Sequence, residues 1–211
     1  MDFYFSPLAC SMATRISLYE AGATANFVEV DTATQLTSKG TDFRKVNPLG
    51  LVPALALDDG QILTENAAIL QYVASLHPEA KLAPEGGFER VRLQQWLCFI
   101  GTELHQGLFG PLLSKKANEG ARAYALEKAA ARLGLLEAHL AGRDFLLERF
   151  SVADAYLVTV LGWSPVTPVE LAKWPAVAAY VERMRLRPSV ATAYAEELAM
   201  YLQTQARRKS A

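Results

Sequence analysis

The stretch FYFSPLACSMATRISLYEAGATANFVEV, residues 3–30, decides the fold class of this 211-residue chain. Phe3–Ser6 reads as a short strand of mainly aromatic residues. Ser11–Ala21 reads as a helix and stops at Gly22, a residue type enriched just past a helix C-terminus. Phe27–Val30 is a second strand. Two neighbouring strands joined through a helix form a parallel pair with a right-handed crossover, so the chain opens with a βαβ unit. Further on, Val52–Leu57, the turn Asp58-Asp59-Gly60 and Ile62-Leu63 read as a hairpin, since Asp-Gly supplies the backbone a tight turn requires. Ile69, Tyr72, Val73 and Leu76 then recur at helical spacing up to His77-Pro78, where the proline disfavours helix in the residue before it.

Beyond that point the pattern changes. Lys81–Gly87 has Pro84 and a pair of glycines and reads as an exposed connection. Leu93, Trp96, Leu97, Ile100 and Leu104 then fall on one helical stripe. Leu126, Ala130, Leu133, Leu136 and Leu140 fall on a second, and Ala153, Tyr156, Leu157, Val160 and Leu161 on a third. Ser151-Val152-Ala153-Asp154 before the third stripe has the form of a capping box, which makes Asp154 structural rather than catalytic. The expected organisation is a first domain over 1–80, a linker over 81–87, an all-helical domain over 88–204, and a basic, small-residue tail over 205–211 without fixed structure.

Composition narrows the function classes. Half of the residues are hydrophobic (51%) and a fifth are charged (20%), as in an ordinary globular protein. The formal net charge of −1 offers no long-range field to a polyanion, so nucleic acid is not an expected partner. The N-terminal residues lack a basic segment followed by an apolar one, and no run long and apolar enough to span a membrane occurs, so no membrane partner and a cytoplasmic location are expected. Cys10 and Cys98 make no disulfide framework and have no zinc-site spacing, so no metal is expected.

Four segments, in this order, resemble the cytosolic glutathione transferases, most of all their bacterial beta class. They are Phe5-Ser6-Pro7-Leu8-Ala9-Cys10-Ser11, Asn47-Pro48-Leu49-Gly50-Leu51-Val52-Pro53-Ala54-Leu55, Leu63-Thr64-Glu65-Asn66-Ala67-Ala68-Ile69 and Phe150-Ser151-Val152-Ala153-Asp154-Ala155. Trp96 to His105 is also close to that class. The resemblance spans nearly the whole chain. It implies an α/β thioredoxin-like N-terminal domain of βαβ-α-ββα order, with a helix between the βαβ unit and the hairpin, and an all-α C-terminal domain. It further implies a homodimer that uses glutathione as co-substrate, needs no other cofactor, and serves detoxification.

Cys10 lies where the first strand ends and the first helix begins, so the free N–H groups of the helix are expected to favour its thiolate. By resemblance Cys10 contacts the glutathione sulfur, with Ser11 as a rival hydroxyl for that task. Val52-Pro53 resembles the family's cis-proline step, with Leu51, Val52 and Pro53 against the cysteinyl part of the tripeptide. Glu65 and Asn66 open a helix whose N–H groups suit a carboxylate, while the Glu65 side chain suits an ammonium; the γ-glutamyl end of glutathione presents both. Asn66 departs from the small hydroxyl or glycine usual there.

In the second domain, Cys98, Thr102 and His105 share a helix face at spacings of three, four and seven. By resemblance His105 stands near the thiol as a catalytic group. Cys98, Gln106 and Gln35 replace an asparagine and two lysines of the class, which removes positive charge from around the ligand. Phe109, Leu112, Leu113 and Trp163 are the candidate wall for a hydrophobic second substrate. Of the two thiols, Cys10 is expected to take a glutathione adduct on mild oxidation and Cys98, on an interior helix face, to take little.

The expected activity is transfer of glutathione to small electrophilic, mostly hydrophobic compounds. One alternative is thiol–disulfide exchange or dehalogenation in which Cys10 itself attacks. The other is a ligand-binding member of the fold without turnover.

Overall fold

A computed structural model of the protein describes residues 1–210; Ala211 and the side chains of residues 208–210 lie outside the described residues. The chain forms two units. One contains residues 1–82 with the C-terminal segment from Pro188, and the other is Ala83–Arg187.

The first unit is built on β1 (Asp2–Phe5), α1 (Met12–Glu20), β2 (Asn26–Asp31), β3 (Leu36–Thr37), β4 (Ala54–Ala56), β5 (Ile62–Thr64) and α2 (Asn66–Leu76). The strands lie in the order β3-β2-β1-β4-β5. β1 runs parallel to β2, with Phe3 opposite Phe27, and antiparallel to β4, with Phe3 opposite Leu55. β4 and β5 form the expected hairpin. Alternation along β1 sends Phe3 and Phe5 to one face, where they meet Leu18 of α1 and Ile69 and Val73 of α2. Tyr4 goes to the other face, against Phe43 at 5.4 Å between ring centroids.

The helix expected between β2 and the hairpin is only a 3₁₀ turn, Phe43–Lys45. Asp42 caps this turn by accepting the Arg44 N–H at 3.0 Å, and Pro48 disfavours helix at Asn47, so too few residues remain for an α-helix. The preceding residues pair instead as the short strand β3 against β2.

Helix α8 (Pro188–Ser210) belongs to this first unit, whereas its residues up to 204 were expected in the helical domain. It runs through the segment expected to lack structure, as far as Ser210. The reason lies in α1. Arg15 is buried between the rings of Phe5 and Phe27, at 4.4 and 4.0 Å from their centroids. A buried guanidinium needs an anion, and Glu197 of α8, also fully buried, accepts from Arg15 Nε at 2.9 Å.

The second unit holds α3 (Gly87–Phe99), a π-helical stretch (Ile100–Phe109), α4 (Gly110–Leu113), α5 (Glu119–Leu140), α6 (Val152–Leu161) and α7 (Pro175–Arg185). The first stripe is buried as read, from Leu93 to Leu104. On α5 the buried line is Ala125, Ala129, Leu133, Leu136 and Leu140, so the face begins one residue earlier than Leu126 and Ala130 suggested. Helix α6 is buried on every side. Its start is held by Asp154, which accepts from the Ser151 N–H, the Leu146 N–H (both 2.9 Å) and Tyr180 Oη (3.0 Å). Among the described residues, no helix is long and apolar enough to cross a membrane.

Candidate active site

In the first unit the polypeptide between β1 and α1 turns sharply through Leu8, whose φ is +61°. The Leu8 N–H donates to Glu197 Oε2 at 2.7 Å. This anchors the loop that delivers Cys10, which is only 8% exposed. The Cys10 thiol donates to the Val52 carbonyl at 3.5 Å, across the cis Val52–Pro53 peptide bond from the start of β4.

Burial pushes the Cys10 thiol up to about 12. The N–H groups of Cys10 and Ser11 at the helix start pull it down, as anticipated, but desolvation outweighs them, and the negative charges of Glu65 and Glu197 add to the rise. The expected thiolate is therefore a neutral thiol. The rival hydroxyl, Ser11, is engaged within its own loop. It is fully buried, with its hydroxyl donating to the Ser6 carbonyl (3.2 Å) and accepting the Ser6 N–H (3.3 Å). Its role is to close the turn.

The segment before Val52 is shaped by Asn47, which sequence reasoning passed over. Its side chain accepts the Leu49 N–H (3.2 Å) and donates to the Leu51 carbonyl (2.7 Å), folding Asn47–Leu51 into a tight loop with Leu51 itself 62% exposed. Gln35, also in this unit, does not extend toward solvent. Its Nε2 donates to the Thr32 carbonyl at 2.8 Å, and its amide lies close against Gly50.

Glu65 stands immediately before α2 with φ +66° and ψ 118°, a conformation that costs a non-glycine residue on the order of 1–3 kcal/mol. Its side chain is exposed, and Thr64 does not cap the helix. Asn66, the first helical residue, is buried. Its Oδ1 accepts from Thr14 of α1 at 3.4 Å, while its Nδ2 is buried without a partner. The Asn66 side chain thus ties two helices together through Thr14, a residue no sequence signal marked.

In the second unit Cys98 is exposed, which corrects its expected interior placement. Thr102 is exposed as well and donates to the Cys98 carbonyl at 3.0 Å. His105 is half-buried, and Nδ1 lies 2.8 Å from the hydroxyl of Tyr156. Burial holds the His105 imidazole down to about 4, so the ring is neutral at physiological pH. The π-helical stretch gives it a wider turn than an α-helix. Gly110 N–H donates to the His105 carbonyl five residues back, and a Cβ on Gly107 would stand 2.7 Å from the Thr102 carbonyl.

Of the four wall candidates, Phe109 is fully buried and Leu112 is 8% exposed. Phe109 packs edge-on against Trp163 at 6.0 Å, and Phe109 and Leu112 are core residues with little surface for a ligand. Leu113 and Trp163 keep exposed area. Tyr156 was read only as a core position. A tyrosine in a wholly buried helix has a hydroxyl that needs a partner, and the structure supplies His105.

Two family models match the chain. The family model described as "Glutathione S-transferase, N-terminal domain" matches residues 9–76, and "Glutathione S-transferase, C-terminal domain" matches residues 95–188. The chain is 38% identical over 199 residues to glutathione S-transferase GstA of Escherichia coli O157:H7, covering 93% of this chain and 98% of that one. Among solved structures it is similar to a sphingomonad glutathione S-transferase complexed with glutathione, at 44% identity and a TM-score of 0.88, over 93% of this chain and 98% of that one. It is likewise similar to the bacterial beta class glutathione S-transferase of Sphingomonas chungbukensis, at 42% identity and a TM-score of 0.88, over the same shares.

Proposed function

The chain belongs to the glutathione S-transferase family and is a beta class-like enzyme that conjugates glutathione, and from that premise we propose how its own residues hold the tripeptide and which electrophiles it serves. The observation that carries the reading is the Cys10 thiol against the Val52 carbonyl at 3.5 Å. It sets a sulfur beside the backbone that would pair with the cysteinyl part of glutathione.

The γ-glutamyl ammonium falls to Glu65, whose exposed carboxylate stands at a helix start, while its carboxylate faces the free N–H groups of α2. The ligand thiol loses its proton, its sulfur attacks an electrophilic carbon to form the C–S bond, and the leaving group departs with its electron pair. Binding both reactants supplies proximity, and hydrogen bonds to the sulfur raise the thiolate fraction. His105 donates one such bond. The reaction as written needs no cofactor beyond glutathione. Small, mostly hydrophobic electrophiles are favoured by exposed Leu113 and half-buried Trp163. Attack by Cys10 itself is disfavoured, because its thiol is neutral.

Cys10→Ala is expected to keep conjugation within about tenfold, roughly 1.4 kcal/mol of barrier, since the attacking sulfur belongs to the ligand. A loss of several orders of magnitude would make Cys10 the nucleophile. In the same assay Glu65→Ala is expected to weaken glutathione binding by about 2 kcal/mol, and unchanged affinity by calorimetry would remove Glu65 from the site. A cytoplasmic homodimer is carried over from the family in the same proposal. Sedimentation at micromolar concentration should give twice the chain mass, and monomers would refute it.

A further inference from the structure

His105 is the one candidate site residue whose second ring atom is already engaged by a buried neighbour. Tyr156 comes from α6, is 3% exposed, and its hydroxyl lies 2.8 Å from His105 Nδ1. Trp163, just after α6, stands edge-on to the same imidazole at 5.0 Å between centroids. A phenol is a better donor than acceptor, because its oxygen lone pairs delocalise into the ring. The bare nitrogen of a neutral imidazole is, conversely, a better acceptor than its N–H is a donor. The pair therefore settles with the Tyr156 O–H donating to an unprotonated Nδ1. A neutral imidazole carries one proton, which must then sit on Nε2.

We propose that Tyr156 is a positioning residue for the conjugation reaction, fixing His105 as the Nε2–H tautomer and locking its ring against a flip, so that His105 offers a donor and not a base to the ligand. This rests on the reading of His105 as a site residue. It also divides the labour at the sulfur. An Nε2–H stabilises a thiolate but cannot accept the thiol proton, so the proton leaves by another route, to solvent or the ligand's own groups.

The test begins with the wild type and needs no variant to fold. The chain has only three histidines. His139 provides an internal standard, because its Nε2 lies 2.9 Å from the Leu146 carbonyl, which can only accept. In ¹⁵N spectra at neutral pH, His105, identified by the signal missing from His105→Asn, should show a protonated Nε2, as His139 does, and a bare Nδ1. In Tyr156→Phe the two His105 nitrogens should move toward averaged shifts. Conjugation kcat/KM should fall about tenfold with the melting temperature unchanged within a few degrees. A wild-type His105 protonated on Nδ1, or a Tyr156→Phe spectrum identical to wild type, overturns the proposal. So does full activity of Tyr156→Phe where His105→Ala is impaired. If His105→Ala itself retains full conjugation, it is the reading of His105 as a site residue that fails, and the spectra still decide the tautomer on their own.

Discussion

At the scale of single residues the two cysteines exchange the characters their sequence positions suggest. Cys10 has the helix N-terminus that should make it reactive, yet it is 8% exposed and burial pushes its thiol up to about 12. A partial charge at a helix end is worth at most about 2 kcal/mol, whereas full desolvation shifts a pKa by up to about 3–5 units, so burial wins. Cys98 lies open to solvent. With limiting iodoacetamide at pH 8, peptide mass mapping should therefore show Cys98 alkylated at least about tenfold faster than Cys10. Alkylation of Cys10 first would mean that the loop from Ser6 to Ser11 opens in solution. The identities of Cys10, Glu65 and His105 as site candidates were legible from motif and spacing. Their protonation states and exposures were not, because both depend on which atoms of distant segments surround them. The wall candidates illustrate the same limit, since Phe109 and Leu113 look alike in sequence, yet one is wholly buried and the other 42% exposed.

At the scale of elements, the loop Asn47–Leu51 that presents Val52 depends on backbone geometry at Gly50. Its φ is +65°, which costs an L side chain roughly 1–2 kcal/mol. A Cβ there would also stand 2.9 Å from Cδ of Gln35, whose amide is held against the glycine by its bond to Thr32. Gly50→Ala should destabilise the protein by about 2 kcal/mol or more in urea unfolding, with glutathione affinity lowered alongside. A change below about 0.5 kcal/mol would show that Gln35 moves aside freely. Strands, hairpin and long helices were readable because alternation and helical periodicity are local properties. The π-helical stretch was not, since its apolar spacing also fits an α-helix; only the Gly110 to His105 hydrogen bond identifies it. That difference bears on the site candidates Thr102 and His105, which ride on the wider turn. The helix that the family order implies was lost to a competing signal, since the Asp42 cap and Pro48 left room only for the 3₁₀ turn Phe43–Lys45.

At the scale of the whole molecule, the first unit is made from both ends of the chain. Glu197 of α8 accepts from the Leu8 N–H at 2.7 Å and from Arg15 at 2.9 Å, so the C-terminal helix holds both α1 and the loop that carries Cys10. Glu196 reinforces the contact through Arg15 and the hydroxyl of Tyr19. Glu197→Ala leaves the Arg15 guanidinium buried between two rings without this partner, and should cost about 3 kcal/mol or more of unfolding free energy. Denaturant melts that agree within 1 kcal/mol between variant and wild type would show that Glu196 alone suffices. Composition, period and four short motifs determined the family, the two kinds of architecture and the site candidates, because each is written in consecutive residues. Only the tertiary structure decided that α8 completes the first unit, that Cys10 is a neutral thiol, and that Tyr156 holds His105. These follow from pairings between segments far apart in the chain, where burial in a medium of low dielectric turns a modest local preference into a large free energy, or reverses it.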